Sequence, residues 1–205
     1  MNEQLTNTLN LIEEYAKLHH VPIMEKEGID SLSKLLVEKH PDRVLEIGSA
    51  IGFSAIRMAS ALPACSVDTI ERDEIRYTKA LEFIKASGLN SQIRIFNEDA
   101  LEMDLDLLEK EYDAIFIDAA KGQYERFFDK YECLLKKGGA FYCDNMHMHG
   151  MTQKPLSEVP KRKKTMIRNL NAFRETMLNH PQYDTEEISE GDGIMICTKK
   201  TKFDV

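Results

Sequence analysis

Residues 43–62 read RVLEIGSAIGFSAIRMASAL, and the two ends of this stretch ask for different backbones. RVLEIGS (43–49) is a short run of apolar and β-branched residues, the pattern of a strand buried on both faces. FSAIRMASAL (53–62) carries apolar residues at helical spacing, and the small residues between the two form a turn. A strand that turns directly into a helix is the repeating unit of a parallel sheet. The same alternation continues outward. SVDTIER (66–72) reads as a second strand, and DEIRYTKALEFIKASG (73–88) as an amphipathic helix ending on Gly88, where a C-cap glycine belongs. QIRIFNED (92–99) and YDAIFIDA (112–119) read as strands, QYERFFDKYECLL (123–135) as a helix, and Gly138–Gly139 as a turn into the strand AFYCDN (140–145). A long helix is expected over roughly 157–179, closed by Pro181. YDTEEIS (183–189) and GIMICTK (193–199) are separated only by Glu190-Gly191-Asp192, so they form an antiparallel hairpin. The first forty residues read as helices laid on this core, with HHVPIM (19–24) as a loop between them. The pattern predicts an α/β fold: a mainly parallel sheet of seven strands, helices on both faces, and ligands at the carboxyl ends of the strands.

The chain has 205 residues, 42% of them hydrophobic and 30% charged, enough for one domain over 1–205 with a sizeable core. No apolar stretch approaches the ~20 residues of a membrane span, and the N-terminus lacks the basic and apolar regions of a secretory signal. Cys65, Cys133, Cys143 and Cys197 are widely spaced without a C-x-x-C pair, which suits reduced thiols in a cytoplasm. A net charge of −8 argues against a protein that coats nucleic acid over its whole surface, although a local basic patch is compatible with it.

The first strand runs into Glu46-Ile47-Gly48-Ser49-Ala50-Ile51-Gly52. Glycines at this turn let a ligand approach the backbone, and the following helix can present its N-terminus to a polar group. The spacing is G-x-x-x-G, not the G-x-G-x-x-G of a dinucleotide site, which disfavours a nicotinamide dehydrogenase. Glu71 ends the second strand, where an acidic side chain can accept hydrogen bonds from both hydroxyls of a ribose. Asp99 and Ala100 follow the third strand, where an adenine edge would lie. The E-x-G-x-x-x-G loop with an acidic second-strand end resembles the class I S-adenosylmethionine-dependent methyltransferases, and the resemblance implies their Rossmann-like fold.

Asp118 ends the fourth strand and Asp144-Asn145 the fifth. Taken singly, these aspartates are ordinary strand-end turn formers. Brought together by adjacent parallel strands, two carboxylates and an amide carbonyl suit a hard cation such as Mg²⁺, which also relieves the repulsion between the carboxylates. Lys121, three residues after Asp118, is placed to act as a base. His147 and His149 offer a rival, transition-metal site. The D-x-x-K after strand four and the D-N after strand five look like the cation-dependent O-methyltransferases, the family of catechol and caffeoyl-CoA methyltransferases. That resemblance extends from about Pro22 to the last strand. It implies Asp118, Asp144 and Asn145 as metal ligands, with Lys121 and Asp118 as the catalytic pair. It also implies that Met24, Glu46, Gly48, Ala50, Ser54, Glu71, Asp99, Ala100 and Asp118 line the S-adenosylmethionine site, Met24 near the sulfonium. A homodimer with N-terminal helices in its interface is implied as well. The chain departs from the animal catechol enzymes in its last turn, Glu190-Gly191-Asp192-Gly193, where those carry a V-D-G-L-type sequence whose acidic residue binds a catechol hydroxyl.

Between Lys154 and Arg168 the chain carries Lys154, Lys161, Arg162, Lys163, Lys164 and Arg168 against a single acid, Glu158, a local charge of +5. Basic residues at a helix N-terminus oppose the macrodipole and call for another reason, such as a phosphate backbone. VPIMEKEGI (21–29), LEIGSAIGFSAIRMA (45–59), TIERDE (69–74), IFIDAAKGQY (115–124) and the KRKK run are similar to the bacterial tRNA methyltransferases that convert wobble 5-hydroxyuridine to 5-methoxyuridine. The resemblance implies an unstacked anticodon-loop nucleotide of tRNA as acceptor. The alternatives are a small catechol-like acceptor and, without catalysis, an RNA-binding module.

Overall fold

The computed structural model describes residues 3–201; the outermost ends of the expected 1–205 domain lie outside them. Seven strands form one sheet: β1 (Arg43–Ile47), β2 (Ser66–Ile70), β3 (Ile93–Phe96), β4 (Tyr112–Ile117), β5 (Leu135–Cys143), β6 (Tyr183–Ile188) and β7 (Ile194–Lys199). Their order is β3-β2-β1-β4-β5-β7-β6. The first five are parallel, and β7 runs antiparallel to both β5 and β6. The hairpin therefore inserts its second strand beside β5 and leaves its first at the edge.

Successive residues of the central strands are apolar on both sides, as the run of β-branched residues requires. Val44, Phe116, Ala140, Tyr142, Ile194 and Ile196 face one core, which is closed by α1 (Glu3–His19), α2 (Lys26–Lys39), α3 (Phe53–Ala61) and α4 (Glu74–Ser87). Leu45, Ile117, Phe141, Cys143, Met195 and Cys197 face the other, closed by α5 (Tyr124–Tyr131) and α6 (Lys164–Leu178). At α4 the local signals hold: the Asp73 side chain accepts from Arg76 N–H at 2.9 Å, and Gly88 takes the left-handed C-cap at φ 78°.

Two sequence expectations change. Gly138 and Gly139 do not form a turn ahead of the fifth strand. They lie inside β5, where Tyr112 pairs with Leu135 and Ala114 with Ala140, so the intervening residues bulge and Gly138 takes φ +81°. The long helix begins at Lys164, not near 157. Pro160 disfavours helical backbone at Val159, and a single 3₁₀ turn, Lys161–Lys163, leads into α6.

Candidate active site

The order of strands reverses between β1 and β4, and the crevice this creates holds a cavity of about 650 Å³. One backbone pattern sets its floor. Each residue just past a strand end donates its N–H to the last carbonyl of the neighbouring strand: Glu71 to Phe96 (3.0 Å), Gly48 to Ile70 (3.0 Å), Asp118 to Ile47 (3.0 Å) and Asp144 to Ile117 (3.1 Å). Four residues distant in sequence are thereby brought to the same depth. At Gly48, φ is +100° and a Cβ would come 2.3 Å from the carbonyl oxygen of Asp118, so only glycine lets the loop and the fourth strand close on each other.

Met24, Gly48, Ala50, Glu71, Asp99, Ala100, Asp118, Lys121, Asp144 and Asn145 all line the cavity. Glu71 shapes the loop as well as facing the cavity: its Oε2 accepts from Ala50 N–H and its Oε1 from Asp73 N–H, both at 2.8 Å. Each oxygen retains acceptor capacity for a diol. Asp99 accepts from Leu101 N–H at 2.9 Å and lies 3.5 Å from Arg72. Tyr131 donates to the Ala100 carbonyl at 2.7 Å.

Glu46 and Ser54 do not line the cavity; they lie behind its wall. Glu46 is wholly buried and receives hydrogen bonds from Ser54 and, at 2.5 Å, from Thr69, tying β1 to α3 and β2. Burial, only partly offset by these bonds, pushes its carboxyl up to about 7. A carboxyl raised in the folded state stabilises fully below its unfolded value near 4.5, and this contribution is lost as pH rises through about 7. Glu46→Gln is therefore expected to narrow the fall in melting temperature between pH 5 and pH 8, measured in parallel with the parent. Identical pH profiles would show that Glu46 titrates alike in both states.

Asp144 is 3% exposed, and burial together with the nearby charge of Asp118 pushes its carboxyl up to about 7. The Asn145 amide donates to Asp144, and Asn145 adopts φ +59°, a left-handed conformation that asparagine tolerates. Lys121 Nζ donates to Asp118 Oδ1 at 2.6 Å and to Tyr124 Oη at 3.0 Å. Asp118, Asp144 and Asp192 thus share one cavity with the single ammonium of Lys121 among them. The donor set of two carboxylates and an amide fits a hard divalent cation, whose charge balances the excess. Among the described residues no group of three His, Cys, Asp or Glu side chains could hold a metal. The histidine pair is also divided: the His147 ring packs against Gly193, and only His149 reaches the cavity.

Several cavity residues lie outside the sequence-derived set. Asp192 arrives from the β6–β7 turn; its Oδ1 accepts from His149 N–H at 2.6 Å, and its Oδ2 lies 3.7 Å from His149 Nδ1. Arg72, Arg76 and Phe127 also line the wall. Lys154, Lys161, Arg162, Lys163, Lys164 and Arg168 do not line it. Lys154, Lys161, Arg162 and Lys163 lie on the segment leading into α6, and Lys164 and Arg168 on its first turns; α6 packs on the Lys121 turn, where Asn169 donates to the Gly122 carbonyl at 3.2 Å and Met166 lies against Gly122.

The O-methyltransferase family model matches residues 3–200. The chain belongs to the O-methyltransferase family. It is 31% identical over 194 residues to tapetum-specific methyltransferase 1 of Arabidopsis thaliana, covering 92% of this chain and 82% of that one. It is 29% identical over 185 residues to a caffeoyl-CoA O-methyltransferase of Populus kitakamiensis, covering 87% and 77%. A Staphylococcus aureus structure provisionally named as a caffeoyl-CoA O-methyltransferase superposes with a TM-score of 0.87 at 32% identity, covering 93% of this chain and 91% of that one. The fold is also that of an S-adenosylhomocysteine-bound methyltransferase of Podospora anserina, with a TM-score of 0.82 at 21% identity and coverage of 98% and 89%.

Proposed function

We propose that this O-methyltransferase uses S-adenosylmethionine and Mg²⁺ to methylate the 5-hydroxyl of 5-hydroxyuridine at the tRNA wobble position, giving 5-methoxyuridine. S-adenosylmethionine supplies an electrophilic methyl group, and Mg²⁺ supplies positive charge that favours the ionised acceptor. Glu71 and the Asp99–Ala100 segment hold the nucleoside, with Met24 closing over the reacting end. Asp118, Asp144 and Asn145 hold the ion. Lys121, as its neutral amine, would take the proton from the acceptor hydroxyl, and that oxygen would receive the methyl group that S-adenosylmethionine gives up on becoming S-adenosylhomocysteine. Alignment of the two reactants by the cavity walls supplies much of the remaining rate.

The observation that carries the RNA reading is the basic segment. Lys154, Lys161, Arg162 and Arg168 are exposed, and Lys163 and Lys164 are half-buried. None of the six forms an ion pair among the described residues, and the first turn of α6 contains no acid to offset them. Positive charge concentrated on a segment packed against the Lys121 turn suits the anticodon-loop backbone of an acceptor seated in the cavity. The names of the plant relatives favour a second reading, a small catechol-like acceptor with the same cofactor and ion. Both fit an acceptor with two adjacent oxygens.

Converting Lys161, Arg162, Lys163 and Lys164 together to Ala separates the two. On the RNA reading tRNA binding weakens, and the slope of log K against log salt falls by up to about 3, at roughly 0.7–0.9 for each phosphate no longer neutralised. Turnover of a small catechol stays unchanged. An unaltered slope with tRNA makes the segment a solvated helix start and favours the small acceptor.

Leu11 and Leu18, 55% and 74% exposed, lie two turns apart on α1, which supports a homodimer through the N-terminal helices. Four free cysteines, three of them buried, support a cytoplasmic setting. No helix among the described residues is long and apolar enough to cross a membrane.

A further inference from the structure

Tyr124 has no role in the reading above, yet its hydroxyl lies where the catalytic turn and the two acidic strand ends meet. The residue is 1% exposed, and its ring stands edge-on to Phe173 of α6, with centroids 6.0 Å apart. The hydroxyl accepts from Lys121 Nζ at 3.0 Å. It sits 2.9 Å from the Asp144 carbonyl and 3.2 Å from the Ile117 carbonyl, which share its one proton. With that proton committed to the strand ends, a lone pair of the hydroxyl is left facing Lys121.

As the base, Lys121 is a neutral amine with two N–H bonds and one lone pair on a flexible four-carbon stem, and it rotates freely unless acceptors hold those N–H bonds. Asp118 Oδ1, at 2.6 Å, takes one of these bonds and Tyr124 Oη takes a second. One tetrahedral direction at Nζ remains, on a side chain that lines the cavity. We propose that Tyr124 is a positioning residue: by holding the second bond of Lys121 Nζ, it fixes the remaining direction on the acceptor hydroxyl. Asp118 alone would leave Nζ free to turn about a single contact. The sequence carries this arrangement as D-x-x-K-x-x-Y over 118–124. The inference rests on Lys121 being the base.

Tyr124→Phe deletes one oxygen and keeps the ring against Phe173. With S-adenosylmethionine, Mg²⁺ and an anticodon stem-loop carrying 5-hydroxyuridine, or a catechol if that is the acceptor turned over, kcat is expected to fall about 10–100-fold. KM for both substrates should change by less than about 2-fold, because neither touches the tyrosine. In a Lys121→Ala background the same substitution should cost nothing further in residual kcat. A second readout needs no turnover: hydrogen exchange at ¹⁵N-labelled Lys121 Nζ should quicken about ten-fold in Tyr124→Phe, since one of its two acceptors is gone. An equal kcat loss in both backgrounds, or unchanged exchange, would make Tyr124 a brace of the strand ends and overturn the positioning role. Unimpaired Tyr124→Phe beside an inactive Lys121→Ala would overturn it too, while leaving the base intact. Full turnover by Lys121→Ala would overturn the base reading and this inference together.

Discussion

Asp144→Ala is expected to reduce Mg²⁺-dependent methyl transfer by about 10²–10⁴-fold, the range associated with losing the groups that activate a nucleophile. Asp144 is one of two carboxylates in the proposed oxygen set, and its backbone N–H still bonds the Ile117 carbonyl when the side chain is cut back. The floor of the site therefore keeps its depth. The residues that would hold the nucleoside, Glu71, Asp99 and Ala100, come from other strand ends, so affinity for S-adenosylmethionine should change by less than about 3-fold. Loss of folding is not the expected route. The carboxyl is 3% exposed and raised to about 7, chiefly by burial and then by Asp118, so its ionised form is costly in the absence of a cation. In EDTA near pH 8 the variant should melt at or above the temperature of the parent. Turnover, cofactor titration and melting on the same sample check all three expectations, and unchanged turnover would remove the metal from the mechanism.

Gly48→Ala should have the largest effect on the fold. Its φ of +100° costs an L-residue about 1–3 kcal/mol. The added Cβ would also lie 2.3 Å from the Asp118 carbonyl oxygen and 2.9 Å from its carbon, backbone atoms that cannot rotate away. The clash is relieved only by moving the loop off the fourth strand, which loosens the bonds from Gly48 to Ile70 and from Asp118 to Ile47. A destabilisation of about 3–5 kcal/mol follows, which for a chain of this size lowers the melting temperature by about 6–20 °C. Gly150→Ala is the matched control. Its φ is +77°, but nothing lies within 4 Å of the added carbon, so only the conformational cost of about 1 kcal/mol applies. Equal melting temperatures for the two variants would show that the loop yields without strain.

The elements that the sequence locates well are those whose signals are local. The apolar runs of β1, β2 and β4, the Gly88 cap of α4 and the three-residue hairpin turn each depend on residues close in the chain. Strand ends read one to three residues long, because the apolar pattern does not mark where pairing stops: the third strand pairs only to Phe96, and Glu98 is already in a bend. The start of α6 is misplaced in sequence because basic and apolar residues at helical spacing suggest a helix through 157–163, whereas Pro160 disfavours helical backbone at Val159 and only a 3₁₀ turn precedes Lys164. Gly138 and Gly139 suit a turn or a bulge equally well, and only pairing with β4 distinguishes them.

At the site, residues directly after strands are legible, because a parallel sheet brings all such positions to one edge. Glu46 is legible as part of the buried first strand but not as a residue held behind the cavity wall: the preference of its carboxyl for Ser54 and Thr69 depends on α3 and β2 packing over it. Asp192 has no such local signal. It reaches the cavity only because β7 inserts between β5 and β6, an order that an antiparallel hairpin alone does not specify. Tyr124 is visible as a helical position three residues after Lys121, but its hydroxyl acquires meaning only where the ends of β4 and β5 converge.

The most direct measurement is methyl transfer to tRNA containing unmethylated 5-hydroxyuridine, with S-adenosylmethionine, in Mg²⁺ and in EDTA, read by nucleoside mass spectrometry. 5-Methoxyuridine is expected in Mg²⁺ and none in EDTA. Absence of product under both conditions, alongside turnover of a small catechol, would contradict the tRNA assignment and give the same site a small-molecule acceptor.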